Sequence, residues 1–316
     1  MSKIITLFIA VGLFLPACSS QSSSGVQVVV TTNILGSVVS DIVTCAGGTS
    51  TTLMPIGASP HDFTVSSRQS AQMAESDLII LNGLELESAL EPVIENIVSE
   101  GGRVLSVGQF IDPLPVPEKT EDEHAHEEDE HAHEEDEHAH GEFDPHFWLD
   151  MSRMAKAATV IGEELLDITN DSKYKSCAET VSTEILNAEK NVQQQLVEIP
   201  AENRLLVVDH ESFNYFAGAY DFEVIGSLIP AISDNAQPTS EDLAELVKVI
   251  QARKVRAIFV STEATEKLAD ALRGEVGSNV KVVRLYEGSL GETGSGAETY
   301  IKMMQFNIQA ISEALS

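Results

Sequence analysis

The sequence predicts an α/β protein of two lobes, each a parallel β-sheet flanked by helices, bridged by one long rigid helix. Three observations carry this. Short β-branched runs alternate with helical patterns in the βαβα order that builds parallel sheets. The alternation occurs twice, in separate halves of a 316-residue chain, a length that suits about two domains of roughly 150 residues. Between the halves, Ser172 to Leu196 keeps a helical pattern with neither glycine nor proline until Pro200.

Taken in order, Gln27 to Thr32 reads as a strand, Ile34 to Val43 as a helix and Thr52 to Met54 as a short strand. After the turn-rich Pro55–His61 come a helix over Ser66 to Glu75, a strand over Leu78 to Leu81, a helix over Leu86 to Val98 and a strand over Arg103 to Val107. Met151 to Leu166 resumes as an amphipathic helix ahead of the long one. The second series has strands at Leu205 to Val208, Phe222 to Gly226, Ala257 to Val260 and Val280 to Leu285. Its helices fall near Ser240 to Ile250, Glu266 to Arg273 and Ala297 to Leu315.

The corresponding division is a signal peptide over residues 1–18, a flexible tether over 19–25, an N-terminal lobe over 26–169, a linking helix over 170–200 and a C-terminal lobe over 201–316. Lys3 precedes the apolar run Ile4 to Leu15, too short for a comfortable membrane span. Leu15-Pro16-Ala17-Cys18 resembles a bacterial lipobox, with proline atypical inside it. Cys18 is then the lipid attachment point and the chain a membrane-anchored, extracytoplasmic lipoprotein; plain secretion or a soluble periplasmic form is the alternative. Export permits disulfides and leaves Cys45 and Cys177 as a possible pair, the other reading being two small buried thiols.

The N-terminal lobe is interrupted by an acidic loop, residues 118–142, entered through Pro113, Pro115 and Pro117. It holds six of the nine histidines, His124, His126, His131, His133, His138 and His140, in His-Ala-His pairs. Such composition cannot build an apolar core; it is either a weak auxiliary metal site or a solvated spacer. A net charge of −31 argues against nucleic acid as a partner and suits attraction of cations.

The remaining histidines, His61, His146 and His210, each sit beside a turn or strand-end signal. Zn²⁺ takes nitrogen, sulfur and carboxylate oxygen in a four-coordinate shell, so three imidazoles and one carboxylate make a complete site. Glu263 is favoured as the carboxylate because Ala257–Val260 leads to it from a strand, where open parallel sheets bind ligands; Glu266 competes. Each residue also has a structural reading: His61 as a turn residue, His146 as an aromatic anchor, His210 as a strand-end histidine or general base, and Glu263 as a helix start.

Together these segments resemble the zinc- and manganese-specific solute-binding proteins of bacterial ABC transporters, the cluster A-I metal receptors, in their zinc type with a His-rich loop. The resemblance runs from Val28-Val29-Val30-Thr31-Thr32-Asn33 to the final helix. Pro60-His61-Asp62-Phe63 is similar to the segment carrying that family's first ligand, Asp144-Pro145-His146-Phe147-Trp148-Leu149 to the second, and His210-Glu211-Ser212-Phe213-Asn214-Tyr215-Phe216 to the third. The acidic fourth position falls on Glu263, and Tyr286-Glu287-Gly288-Ser289-Leu290-Gly291 looks like the final strand-to-helix loop. The resemblance implies Zn²⁺ (alternatively Mn²⁺) held between two lobes and passed to a membrane permease.

Rival readings are a metal-using adhesin and a secreted zinc hydrolase. The hydrolase is disfavoured, because four protein ligands leave no open position for water and no His-Glu-x-x-His sequence is present. The chain is therefore expected not to be an enzyme.

Overall fold

Successive residues of a strand face opposite sides of a sheet, and this period divides the apolar residues of the first half. Val28, Val30, Leu78 and Ile80 enter one core, while Val29, Ile79 and Leu81 enter a second on the other face. Both faces are covered, which is why these strands read as continuous apolar runs. The computed structural model describes residues 25–117, 141–229, 231–233, 239–264, 274–276 and 280–316. The signal peptide with Cys18, most of the tether, the six histidines of the acidic loop and the helix expected over Glu266 to Arg273 lie outside the described residues.

The first lobe runs β1 (Gln27–Val30), α1 (Asn33–Ala46), β2 (Thr49–Thr52), α2 (Ser67–Ala74), β3 (Leu78–Leu81), α3 (Glu91–Ser99) and β4 (Val104–Ser106). Its parallel sheet has the order β2-β1-β3-β4. Next come α4 (Met151–Thr169) and α5 (Ser172–Val197), then β5 (Leu205–His210), α6 (Asn214–Tyr220), β6 (Glu223–Ile229), α7 (Ser240–Arg253), β7 (Ala257–Ser261), β8 (Lys281–Leu285) and α8 (Tyr300–Leu315). The second sheet repeats the first: order β6-β5-β7-β8, all parallel.

The helix expected over Leu86 to Val98 is split into a 3₁₀ turn, Ser88–Leu90, and α3, because Pro92 restarts the helix at its first turn. Strand β2 lies ahead of Thr52–Met54: its Thr-Ser-Thr-Thr is an edge strand with little buried surface, although Leu53 and Met54 still donate to Val30 O and Thr31 O. Helix α6 has no helical periodicity to announce it; packing among Phe213, Phe216, Tyr220 and Phe222 holds it.

Helix α5 has 26 residues and so spans about 39 Å. Its buried stripe, Tyr174, Cys177, Ala178, Val181, Ile185, Ala188, Val192 and Leu196, packs on α1 and α4 at one end and on α8 at the other. One apolar core runs along it from Val28 to Ile308 and Leu315, uniting the two lobes. A disulfide between Cys45, near the end of α1, and Cys177 fixes the first turns of α5, with the two Cα atoms 6.0 Å apart.

The residues that flank the acidic segment on either side are tied into a narrow neck. Pro115 bridges Phe143 in antiparallel fashion, Val116 N–H donates to Glu142 O at 3.2 Å and Asp144 N–H to Leu114 O at 2.9 Å. Tyr215 of the second lobe clamps this neck: its hydroxyl accepts from Leu114 N–H (2.9 Å) and donates to Asp144 O (2.8 Å). Among the described residues, no helix is long and apolar enough to cross a membrane.

Candidate metal centre

In each sheet the chain turns opposite ways from the two central strands, β1 and β3 in one and β5 and β7 in the other, which opens a crevice at their carboxyl ends. His61 arrives there on the segment from β2 to α2, His146 on the connection from β4 to α4, and His210 as the last residue of β5. The structure brings all three together. His61 Nε2 lies 3.2 Å from His146 Nε2, which lies 3.4 Å from His210 Nε2. Zinc–nitrogen bonds of about 2.1 Å in a tetrahedron separate two donors by about 3.4 Å, so the nitrogens stand at the spacing of one ion's ligands. The cavity they line, with Ser59, Trp148, Glu263 and Glu287, offers roughly 10 Å³ to the centre of a water-sized sphere, the size of a single small guest.

Carboxylates orient two of the rings. Asp144 Oδ1 accepts from His146 N–H (2.9 Å) and Nδ1 (2.8 Å), and its Oδ2 accepts from Asn214 Nδ2 (3.1 Å). His210 Nδ1 faces two carboxylates, Asp209 Oδ1 at 3.2 Å and Glu287 Oε1 at 3.1 Å. Asp144 and Asp209 each accept from a ring nitrogen, so each Nδ1 carries the proton and each Nε2 presents its lone pair to the cavity. This carboxylate–histidine pairing is the arrangement that fixes tautomer and ring direction in metal sites.

Burial, and then the charges that His146 and His210 carry when protonated, hold the His61 imidazole well below its usual range, so it is neutral and able to ligate. Burial pushes Asp209 up, but hydrogen bonding and charge from His210 and the Ser261 N–H (2.6 Å) outweigh it and leave the group lowered. Glu287 is 1% exposed; burial, then the Asp209 charge, drives its carboxyl well above the ordinary range.

Glu263 reaches the same cavity, but both its oxygens accept from neighbouring hydroxyls, Ser261 and Thr262, and it is only partly buried. The three histidines converge without it, and the carboxylates grouped with His210 are Asp209 and Glu287. Burial raises Glu263 too, with the Ser261 hydrogen bond opposing. Glu287 carries the same sequence signal as Glu263: each acidic residue stands two positions beyond a strand end.

Residues 28–314 match the family model described as zinc-uptake complex component A, periplasmic. The chain belongs to this family. It is 28% identical over 302 residues to a manganese-binding lipoprotein, MntA, of Halalkalibacterium halodurans, covering 94% of this chain and 91% of the relative. It is also 28% identical to the zinc-binding protein TroA of Treponema pallidum, over 84% of this chain and 80% of that protein. The solved structure of periplasmic TroA superposes with a TM-score of 0.79 at 26% identity, covering 93% of this chain and all of that one. The two-lobed α/β architecture read from the sequence is therefore that of the zinc-uptake component A family. Like its family, the chain is a metal-binding receptor of ABC-type metal transport and not an enzyme.

Proposed function

We propose that this receptor captures Zn²⁺ outside the cytoplasm, through the Nε2 atoms of His61, His146 and His210, and hands it to a membrane permease. The spacing of those three nitrogens carries the reading. For the fourth ligand we favour Glu287 over Glu263. Glu287, fully buried beside Asp209 with one oxygen accepting from the Ser212 hydroxyl, is pushed up further than the partly exposed Glu263 and so gains most from a cation that lets it ionise. Three imidazoles and the Irving–Williams order favour Zn²⁺ over Mn²⁺ in equal geometry. Mn²⁺ stands as the second reading because a relative as similar as MntA is named for it. Cys18 serves as the lipid anchor, and the six histidines of the acidic segment gather cations weakly.

Competitive titration of chelator-stripped protein with Zn²⁺ and Mn²⁺ tests this. Wild type is expected to prefer Zn²⁺, with one tight site that disappears in His61→Ala and in His210→Ala. Tight binding that survives both substitutions overturns the ligand set, and tighter binding of Mn²⁺ transfers the assignment to manganese.

A further inference from the structure

The loop that follows β8 belongs to the second lobe, yet the first lobe holds it. Asn33, the first residue of α1, donates from Nδ2 to Pro55 O (3.0 Å) and to Ser289 Oγ (2.9 Å), and its Oδ1 accepts from Leu290 N–H (2.8 Å). Ser289 Oγ also accepts from Gly57 N–H at 2.7 Å. Asn33 is 5% exposed and Ser289 fully buried, so water cannot substitute for a broken bond at this point. Trp148, two residues after His146, adds an indole N–H to Glu287 O at 2.8 Å. The contact is close: a Cβ added at Gly288 would stand 2.9 Å from Pro60 Cδ.

We propose that Asn33 is a positioning residue of the metal site, acting with Ser289 as a lock between the loop bearing His61 and the loop bearing Glu287. The inference rests on the ligand set proposed above. One amide, satisfied on three sides, reads Pro55, Ser289 and Leu290 at once, so the ligands of the two lobes are held at binding separation before an ion arrives. An ion leaves only when the 286–290 loop lifts from the 55–61 loop, which breaks the Asn33 and Gly57 bonds to Ser289 and the Asn33 bond to Leu290. The lock therefore sets the rate of release more than the rate of capture.

The test is stopped-flow transfer of Zn²⁺ from loaded, full-length protein to a chromogenic chelator, for Asn33→Ala, Ser289→Ala and the double variant. Ion-free melting temperature and association rate are measured alongside. Each single variant is expected to release Zn²⁺ about tenfold faster with association within about twofold of wild type, the change that about one buried hydrogen bond or two is worth. The double variant should release scarcely faster than the more affected single one, because the two residues share a bond. Folded variants that release Zn²⁺ at the wild-type rate overturn the proposal, whether or not their melting temperature falls. Equal loss in both rate constants overturns it too. Should Asn33→Ala fail to fold, Ser289→Ala, which removes only a hydroxyl, decides alone. His61→Ala in the same assay separates the two readings. If it binds as wild type does, the ligand set has failed; if it loses Zn²⁺ while the lock variants release normally, only the lock has failed.

Discussion

Replacing Asp144 with asparagine removes a charge from the site without removing a ligand. In the native protein Asp144 is completely buried and accepts two bonds from His146, at 2.9 and 2.8 Å, and one from Asn214 at 3.1 Å. Asparagine has one acceptor oxygen. If that oxygen faces His146, the new NH₂ meets the Asn214 amide, which must flip. If the NH₂ faces His146 instead, it opposes the backbone N–H and forces the ring proton onto Nε2, capping the lone pair that would bind the ion. Even the better arrangement trades a charge-assisted bond to the ring for a neutral one, a loss of about 1–2 kcal/mol. Loss of an orienting partner of this kind typically lowers metal affinity by about 10–100-fold. Chelator competition at neutral pH measures it, with the ion-free melting curve confirming the fold. Affinity within about twofold of wild type in a folded Asp144→Asn protein would refute the claim that this carboxylate sets the His146 tautomer.

Three other outcomes follow from the geometry. Glu287→Gln should weaken Zn²⁺ binding at least tenfold more than Glu263→Gln, read by the same competition assay; the reverse order returns the fourth position to Glu263. His61 is held below its ordinary pKa of 6.5 by burial and then by its two histidine neighbours. Its neutral form is thus fully available above pH 6.5, and its contributions to ion-free stability and to affinity are lost as pH falls through the lower folded value. Wild-type binding should be tight at about pH 7.5 and converge on the weak binding of His61→Ala as the pH falls toward about 5, while ion-free melting should lose more on acidification in wild type than in the variant; parallel pH profiles of the two proteins contradict the burial argument. Finally, the Cys45–Cys177 bond joins residues 132 apart, and loop-closure entropy assigns it about 5 kcal/mol as an upper value. Reduction should lower the denaturant midpoint while leaving the Zn²⁺ affinity of still-folded protein unchanged, because Cys45 lies at the far end of α1 from Asn33. A loss of affinity on reduction would place the bond in the binding machinery.

Much of this molecule could be read in advance, and for physical reasons. Strands buried on both faces, such as Leu78–Leu81 and residues 257–260 of β7, must be apolar throughout, and α5 must avoid glycine and proline to cross both lobes unbroken. The histidines stood out because each followed an end-of-strand or turn signal. Other features depend on contacts that no spacing encodes. Strand β2 is polar because it lies at an edge, and α6 forms only because aromatic rings from its own ends and from Phe222 close around it. Glu263 and Glu287 are alike in sequence position. They differ because folding buries Glu287 completely against Asp209, His210 and Ser212 and leaves Glu263 partly exposed beside Ser261 and Thr262. The Asn33–Ser289 contact joins residues 256 apart, which only the folded chain could make adjacent.

The neck at Pro115 and Phe143 has an evolutionary consequence. Because the residues flanking the acidic segment are tied to one another and to the Tyr215 hydroxyl, the distance between the attachment points is independent of how much chain lies beyond them. Closing a longer excursion costs little more, since the entropy grows only with the logarithm of length. Insertions, deletions and repeat expansions there are thus nearly invisible to the rest of the molecule.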